Sequence, residues 1–233
     1  MARKIVTEQS KQKSKKKKIL IIVGIILALL LVGTTVYFTC FKKTKGNPVE
    51  VQILDENRDY GYSLSDKDSE LYKKEYNVLK DILDAKELDV NGYVNQVGKL
   101  FIIDLYTIET KLNKYDIGGS EYYYSDKKNM FDKKVMDTLY STVEDDTYGD
   151  RKQDLPKVAS IKVISVDETT YTLDEEKVDA YSMKVEWTYE KTNSGYDDKG
   201  TIVIVKERDN NRYSVVDFQP TFSPKYNTDA KKK

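Results

Sequence analysis

One uninterrupted apolar run constrains every other reading of this chain. Residues 19–41 read ILIIVGIILALLLVGTTVYFTCF, without a single charged side chain. A bilayer-spanning helix needs about 20 predominantly apolar residues, each adding roughly 1.5 Å of rise. The run is therefore predicted to be a transmembrane helix. Lys15 to Lys18 flank it on one side and Lys42 and Lys43 on the other. Tyr37, Phe38 and Phe41 cluster at its C-terminal end, where aromatic rings favour the membrane interface.

Charge sets the orientation. Residues 1–18 hold Arg3, Lys4, Lys11, Lys13 and Lys15 to Lys18 against Glu8, a net of +7, and the whole chain is neutral, so the remainder carries −7. Positive flanks stay in the cytoplasm, which predicts a cytoplasmic N-terminus, a single pass and a C-terminal domain outside the cell membrane. A cleaved signal peptide has a shorter apolar region, of ~7–15 residues, ending in a small-x-small site. A lipoprotein site is also a poor match, because bulky Tyr37 and Phe38 lie just before Cys40, the chain's only cysteine. An external domain without a disulfide suits a bacterial envelope, particularly a Gram-positive one. An acidic external domain offers nothing to nucleic acid, whose phosphates need clustered lysine and arginine.

Five zones follow along the chain. Residues 1–18 form a basic cytoplasmic tail, 19–41 the span, 42–64 a tether, 65–220 one domain, and 221–233 a polar, disordered tail. The domain opens with helical periodicity. Ser65 to Asp68 offers an N-cap hydroxyl followed three residues later by a carboxylate, and Leu71, Val78, Leu79, Ile82 and Leu83 share one helical face. Val94, Val97, Phe101, Leu105, Ile108 and Leu112 mark a second helix, widened by Leu100, Ile102 and Ile103, so it is packed on more than one side. Gly118 and Gly119 stop it. Residues 121–124 read as a short extended segment. A third helix starts at Ser125 or Asp126 and buries Phe131, Val135 and Leu139.

The second half reads as β. Residues 158–166 are rich in β-branched side chains, Asp167-Glu168 reads as a turn, and 169–173 as a marginal extra strand. Tyr181, Met183, Val185, Trp187 and Tyr189 alternate with polar residues, the period of a strand with one dry face. Two further strands, 201–207 and 213–218, are joined by short polar turns, which implies an antiparallel meander. The predicted class is α+β: a transmembrane helix, then about three helices packed on a curved antiparallel sheet of about four strands, with Trp187 and Phe101 in one core.

This order of elements resembles the cone-shaped nuclear transport factor-like fold. More narrowly, it resembles the inner-membrane scaffold subunit of type IV secretion and Gram-positive conjugation machines. Residues 98–112 (GKLFIIDLYTIETKL) would be the central helix and 183–189 a core strand. The resemblance implies a scaffold that bridges membrane and envelope components through protein contacts. It carries no residue-level site.

Several chemistries are excluded or disfavoured. The chain has no histidine, which rules out the usual Ser-His-Asp and Cys-His nucleophilic sites and His-containing zinc sites. No phosphate-binding or dinucleotide Gly-rich fingerprint occurs. The expectation is a non-enzyme without cofactor or metal, whose partners are the lipid bilayer and a protein partner or further copies of itself. The alternative is a module that binds a cell-envelope glycan or small ligand. Residues 55–66 mimic a calcium loop, but Gly61 falls at position seven and Asp66 stands where glutamate is needed. Asp145, Asp146, Asp150 and Asp154 form an acidic group that reads as an exposed loop or a weak cation site. Tyr122, Tyr123 and Tyr124, with Tyr60 and Tyr62, are the candidate contact residues for a partner or a sugar. Their other reading is structural, as rings covering half-buried surfaces.

Overall fold

The first pairing arises where aromatic and aliphatic residues alternate with serine. Strand β1 (Ile53–Asn57) pairs antiparallel with β2 (Tyr62–Ser65), and the inward Tyr62 and Leu64 are buried. Gly61, at φ +69°, supplies the left-handed turn residue between them. This hairpin corrects the expectation of a tether over 42–64. A two-residue apolar period gives the segment a dry face to bury.

Helix α1 (Glu70–Leu83) starts one turn later than predicted. Ser69 is its cap, accepting from the Tyr72 N–H at 3.2 Å. Ser65 instead closes β2, and its N–H donates to the Asp68 carboxylate at 2.6 Å. The buried face is Tyr72, Glu75, Tyr76 and Leu79, and Val78 is exposed. Helix α2 (Val90–Tyr106) is capped by Asp89 on the Gly92 N–H. Val94, Val97, Leu100, Phe101, Ile102, Ile103 and Leu105 are all buried, so this helix is covered on several sides, as its wide apolar face predicts. Gln96 donates to the Glu75 carboxylate at 2.6 Å and Lys99 pairs with it at 2.9 Å, locking α2 to α1. Short 3-10 turns at Ile108–Thr110, Ser120–Tyr122 and Ser125–Lys127 lead into α3 (Lys128–Asp137), which buries Phe131 and Val135.

Four strands follow, β3 (Val158–Leu173), β4 (Glu176–Tyr189), β5 (Lys199–Lys206) and β6 (Tyr213–Thr221), in the antiparallel order β3-β4-β5-β6. Strand β3 is continuous for 16 residues, which corrects the turn expected at Asp167-Glu168. Those two residues pair with Ser182 and Tyr181. The turn lies at Asp174-Glu175, both at positive φ, the two-residue geometry that matches strand twist.

Helix α2 packs against all four strands. Met183, Val185 and Trp187 from β4, Ile202 and Ile204 from β5 and Val215 from β6 share one core with Phe101. A smaller cluster of Tyr124, Leu173, Ala180, Val205 and Val216 lies apart from it. The class is α+β, as expected, with an added two-stranded sheet.

The structure is a computed structural model that describes residues 26–28, 30–34, 47–191 and 195–221. It divides into two compact units, Met1–Asn47 and Pro48–Lys233. In the first, residues 26–28 and 30–34 are helical, and Ile26, Leu27, Leu30, Leu31 and Val32 are each more than half exposed. The rest of the expected span, the basic tail and residues 222–233 lie outside the described residues. No helix among the described residues is long and apolar enough to cross a membrane.

Candidate functional site

The three tyrosines singled out by sequence go to three different places. Tyr122 is wholly buried; its ring stacks on Tyr62 at 5.1 Å and its hydroxyl lies 2.6 Å from that of Tyr72. Tyr62 in turn shares a hydrogen bond with Tyr93, their hydroxyls 2.8 Å apart. Tyr124 is buried in the smaller cluster, and its N–H donates to the Val215 carbonyl at 2.8 Å. The expectation that Tyr122 and Tyr124 offer rings to a partner is therefore corrected: each ring is enclosed by the domain's own side chains. Tyr123 alone is half-buried. It stacks on Phe131 at 4.1 Å and donates its hydroxyl to the Val216 carbonyl.

Tyr123 and Phe131 line an apolar groove between α3 and β6, with a volume of about 480 Å³. Phe218, Pro220 and Tyr171 complete its apolar wall, and Met130 stands beside them with 68% of its surface exposed. Lys127 and Lys134, seven residues apart on the same helical stretch, border it.

A second, more polar cavity of about 690 Å³ opens between the β1–β2 hairpin, the end of α2 and the start of α3. Five carboxylates line its wall, Asp68, Asp104, Asp116, Glu121 and Asp132, the last paired with Lys128 at 2.7 Å. Glu121 accepts from the Tyr72 hydroxyl at 2.7 Å, the Ser63 hydroxyl at 3.0 Å and the Ser63 N–H at 3.3 Å. Asp104 accepts from Lys111 and from the Gly119 N–H at 2.6 Å. Asp68 is held by the Ser65 N–H. Burial pushes the Glu121 and Asp68 carboxyls above their ordinary range, and the charge on Asp104 adds to both shifts. Burial alone would pull the Lys111 ammonium down, but the Asp104 carboxylate outweighs it and holds that ammonium up. Such shifts mark a site where charge is arranged rather than merely solvated.

Sequence reading missed this cavity. Its one local signal was Asp104, a carboxylate set within the apolar stretch FIIDLY. Nothing local pointed to Glu121 or Asp68, because only tertiary packing brings them to the same wall.

The acidic loop is resolved into separate contacts. Asp145 accepts from the Thr147 N–H, Asp146 from the Arg151 N–H, and Asp154 pairs with Lys191 at 2.6 Å, while Asp150 is exposed. Arg151 pins the loop by donating to the Lys111 and Glu109 carbonyls. No group of three or more metal-ligating side chains is placed to hold an ion among the described residues. Comparison with known proteins gives no match: no family model, no curated sequence and no solved structure aligns with this chain.

Proposed function

We propose that the chain is a membrane-anchored module, its domain outside the cell, that holds a protein partner at the groove between α3 and β6. The observation that carries this reading is the groove itself. A stacked Tyr123–Phe131 pair and a largely exposed Met130 form an apolar recess on a domain whose surface is otherwise rich in charge. Aromatic side chains and methionine are enriched where proteins meet, and a recess that accepts one apolar anchor supplies most of the energy of such a contact. The anchor rests on residues 19–41 and the orientation on the lysines before them. The succession of helices and then an antiparallel meander supports a cone-shaped fold. With it comes a role as scaffold, bridging membrane and envelope components, alone or as a homo-oligomer, by binding rather than turnover.

A photo-reactive residue in place of Met130, in the full chain in its native membrane, tests the reading. A discrete cross-linked product is expected there, and none from the same probe at exposed Lys184. Recovery of uncrosslinked chain alone, or equal labelling at both positions, overturns it.

A further inference from the structure

We infer that the polar cavity binds a small zwitterion, an amino acid or short peptide. Its ammonium group would lie against Glu121 and Asp68 and its anionic end at Lys67 and Lys133. This site is separate from the groove and stands without it. Charges around the cavity are sorted. Asp104 has its own cation, Lys111. Glu121 and Asp68 are held by hydroxyls and N–H groups, and neither makes an ion pair among the described residues. A desolvated carboxylate without a countercharge is costly, and a cation from outside removes that cost. At the mouth, Lys67 and Lys133 line the same cavity, are exposed, and make no ion pair among the described residues. Asp132 is paired with Lys128. The lining therefore offers Glu121 and Asp68 without cations on the inner wall and Lys67 and Lys133 without anions at the rim, beside an exposed Asp116 that accepts from the Leu112 N–H. Charges of both signs left open suit a molecule carrying both.

Size and geometry exclude simpler occupants. A volume of about 690 Å³ falls in the range of small-molecule sites, roughly 300–1,000 Å³. That is far more than a single metal ion fills, and the carboxylates do not form a ligand group for one. The Ser63 and Tyr72 donors fix the Glu121 carboxylate before any ligand arrives, so little ordering is left for binding.

The test is calorimetric titration of the full chain in detergent micelles with each common amino acid and with alanylalanine. The best-bound probe is then compared with its N-acetyl and C-amide forms. Acetylation is expected to weaken binding by about tenfold or more, since it removes a charge-assisted hydrogen bond, and Glu121→Gln should do the same. Because that glutamine also perturbs the Ser63 and Tyr72 contacts, the surface pair Lys67→Ala and Lys133→Ala serves as a second variant. It should weaken the zwitterion several-fold and leave the amide's affinity unchanged. No binding by any probe, equal binding after acetylation, or an unaffected double-lysine variant overturns the proposal.

Discussion

The Tyr72 hydroxyl stands between a carboxylate and a second phenol, 2.7 Å from Glu121 and 2.6 Å from the Tyr122 hydroxyl. Tyr72→Phe keeps the ring and removes these bonds, taking one donor from Glu121 and leaving the buried Tyr122 hydroxyl without this partner. It should cost about 1–3 kcal/mol in urea unfolding. Glu121 also sets a pH dependence whose sign follows from its raised carboxyl. A group with a higher pKa when folded contributes most below its unfolded value, and that contribution is lost as pH rises through the folded value. Glu75 and Glu207 act oppositely. Burial raises both, but hydrogen bonds to Glu75 from Gln96 and Lys99, and to Glu207 from Ser214, Ser125 and Asn210, outweigh it and leave them lowered. Their contribution is present above the ordinary value and is lost as pH falls. Comparing urea midpoints of Glu121→Gln and the parent between about pH 4 and pH 7 isolates the first effect. The variant should gain on the parent as pH rises, and a constant gap would refute the sign.

Close approach between elements explains two glycines. A Cβ on Gly98 in α2 would lie 2.3 Å from the Met183 Sδ of β4, the end of a flexible side chain. A Cβ on Gly118 would lie 2.1 Å from the Asp104 carbonyl oxygen, which cannot swing away. Gly98→Ala should cost about 1–3 kcal/mol and Gly118→Ala more, read as the drop in melting temperature. Trp187, buried against Tyr106 with ring centres 4.8 Å apart, is the largest single filler of the helix–sheet interface. Trp187→Ala is expected to cost about 3–5 kcal/mol, and an unchanged melting curve would count against that packing. Where the hydrophobic period is strict the sequence already carries the element: Met183, Val185 and Trp187 are buried in strict alternation, and α2 holds Val94 to Leu105. That helix nevertheless ends at Tyr106, with Ile108 in a separate 3-10 turn and Leu112 beyond it, short of the end that the spacing predicts. The face of α1 was misread because its buried side is built from Tyr72 and Tyr76, residues with a polar tip, while the aliphatic Val78 faces solvent. The length of β3 was misread because Asp167 and Glu168 are turn-like in composition but sit in mid-ladder. The cavity was legible only in Asp104, since Asp68 and Glu121 reach the same wall only through the finished core.

For the molecule as a whole, orientation is the property that the proposed roles share. Protease added to intact, wall-stripped cells should digest the domain after residue 47 while the basic leader survives. Survival of the domain until the membrane is broken open would overturn the external location. The Tyr62 hydroxyl bonds to the Tyr213 carbonyl at 3.2 Å, and the Tyr93 hydroxyl accepts from the Tyr213 N–H at 3.3 Å. The opening hairpin is thus sealed by the final strand, across most of the domain's length. Contacts so distant along the chain close late. During synthesis, the phenols of the first strand pair wait without their native partners until the closing segment has emerged. A ribosome stalled before residue 213 therefore presents an unfinished interior, and the nascent domain depends on its surroundings to stay out of aggregates for almost the whole of its production.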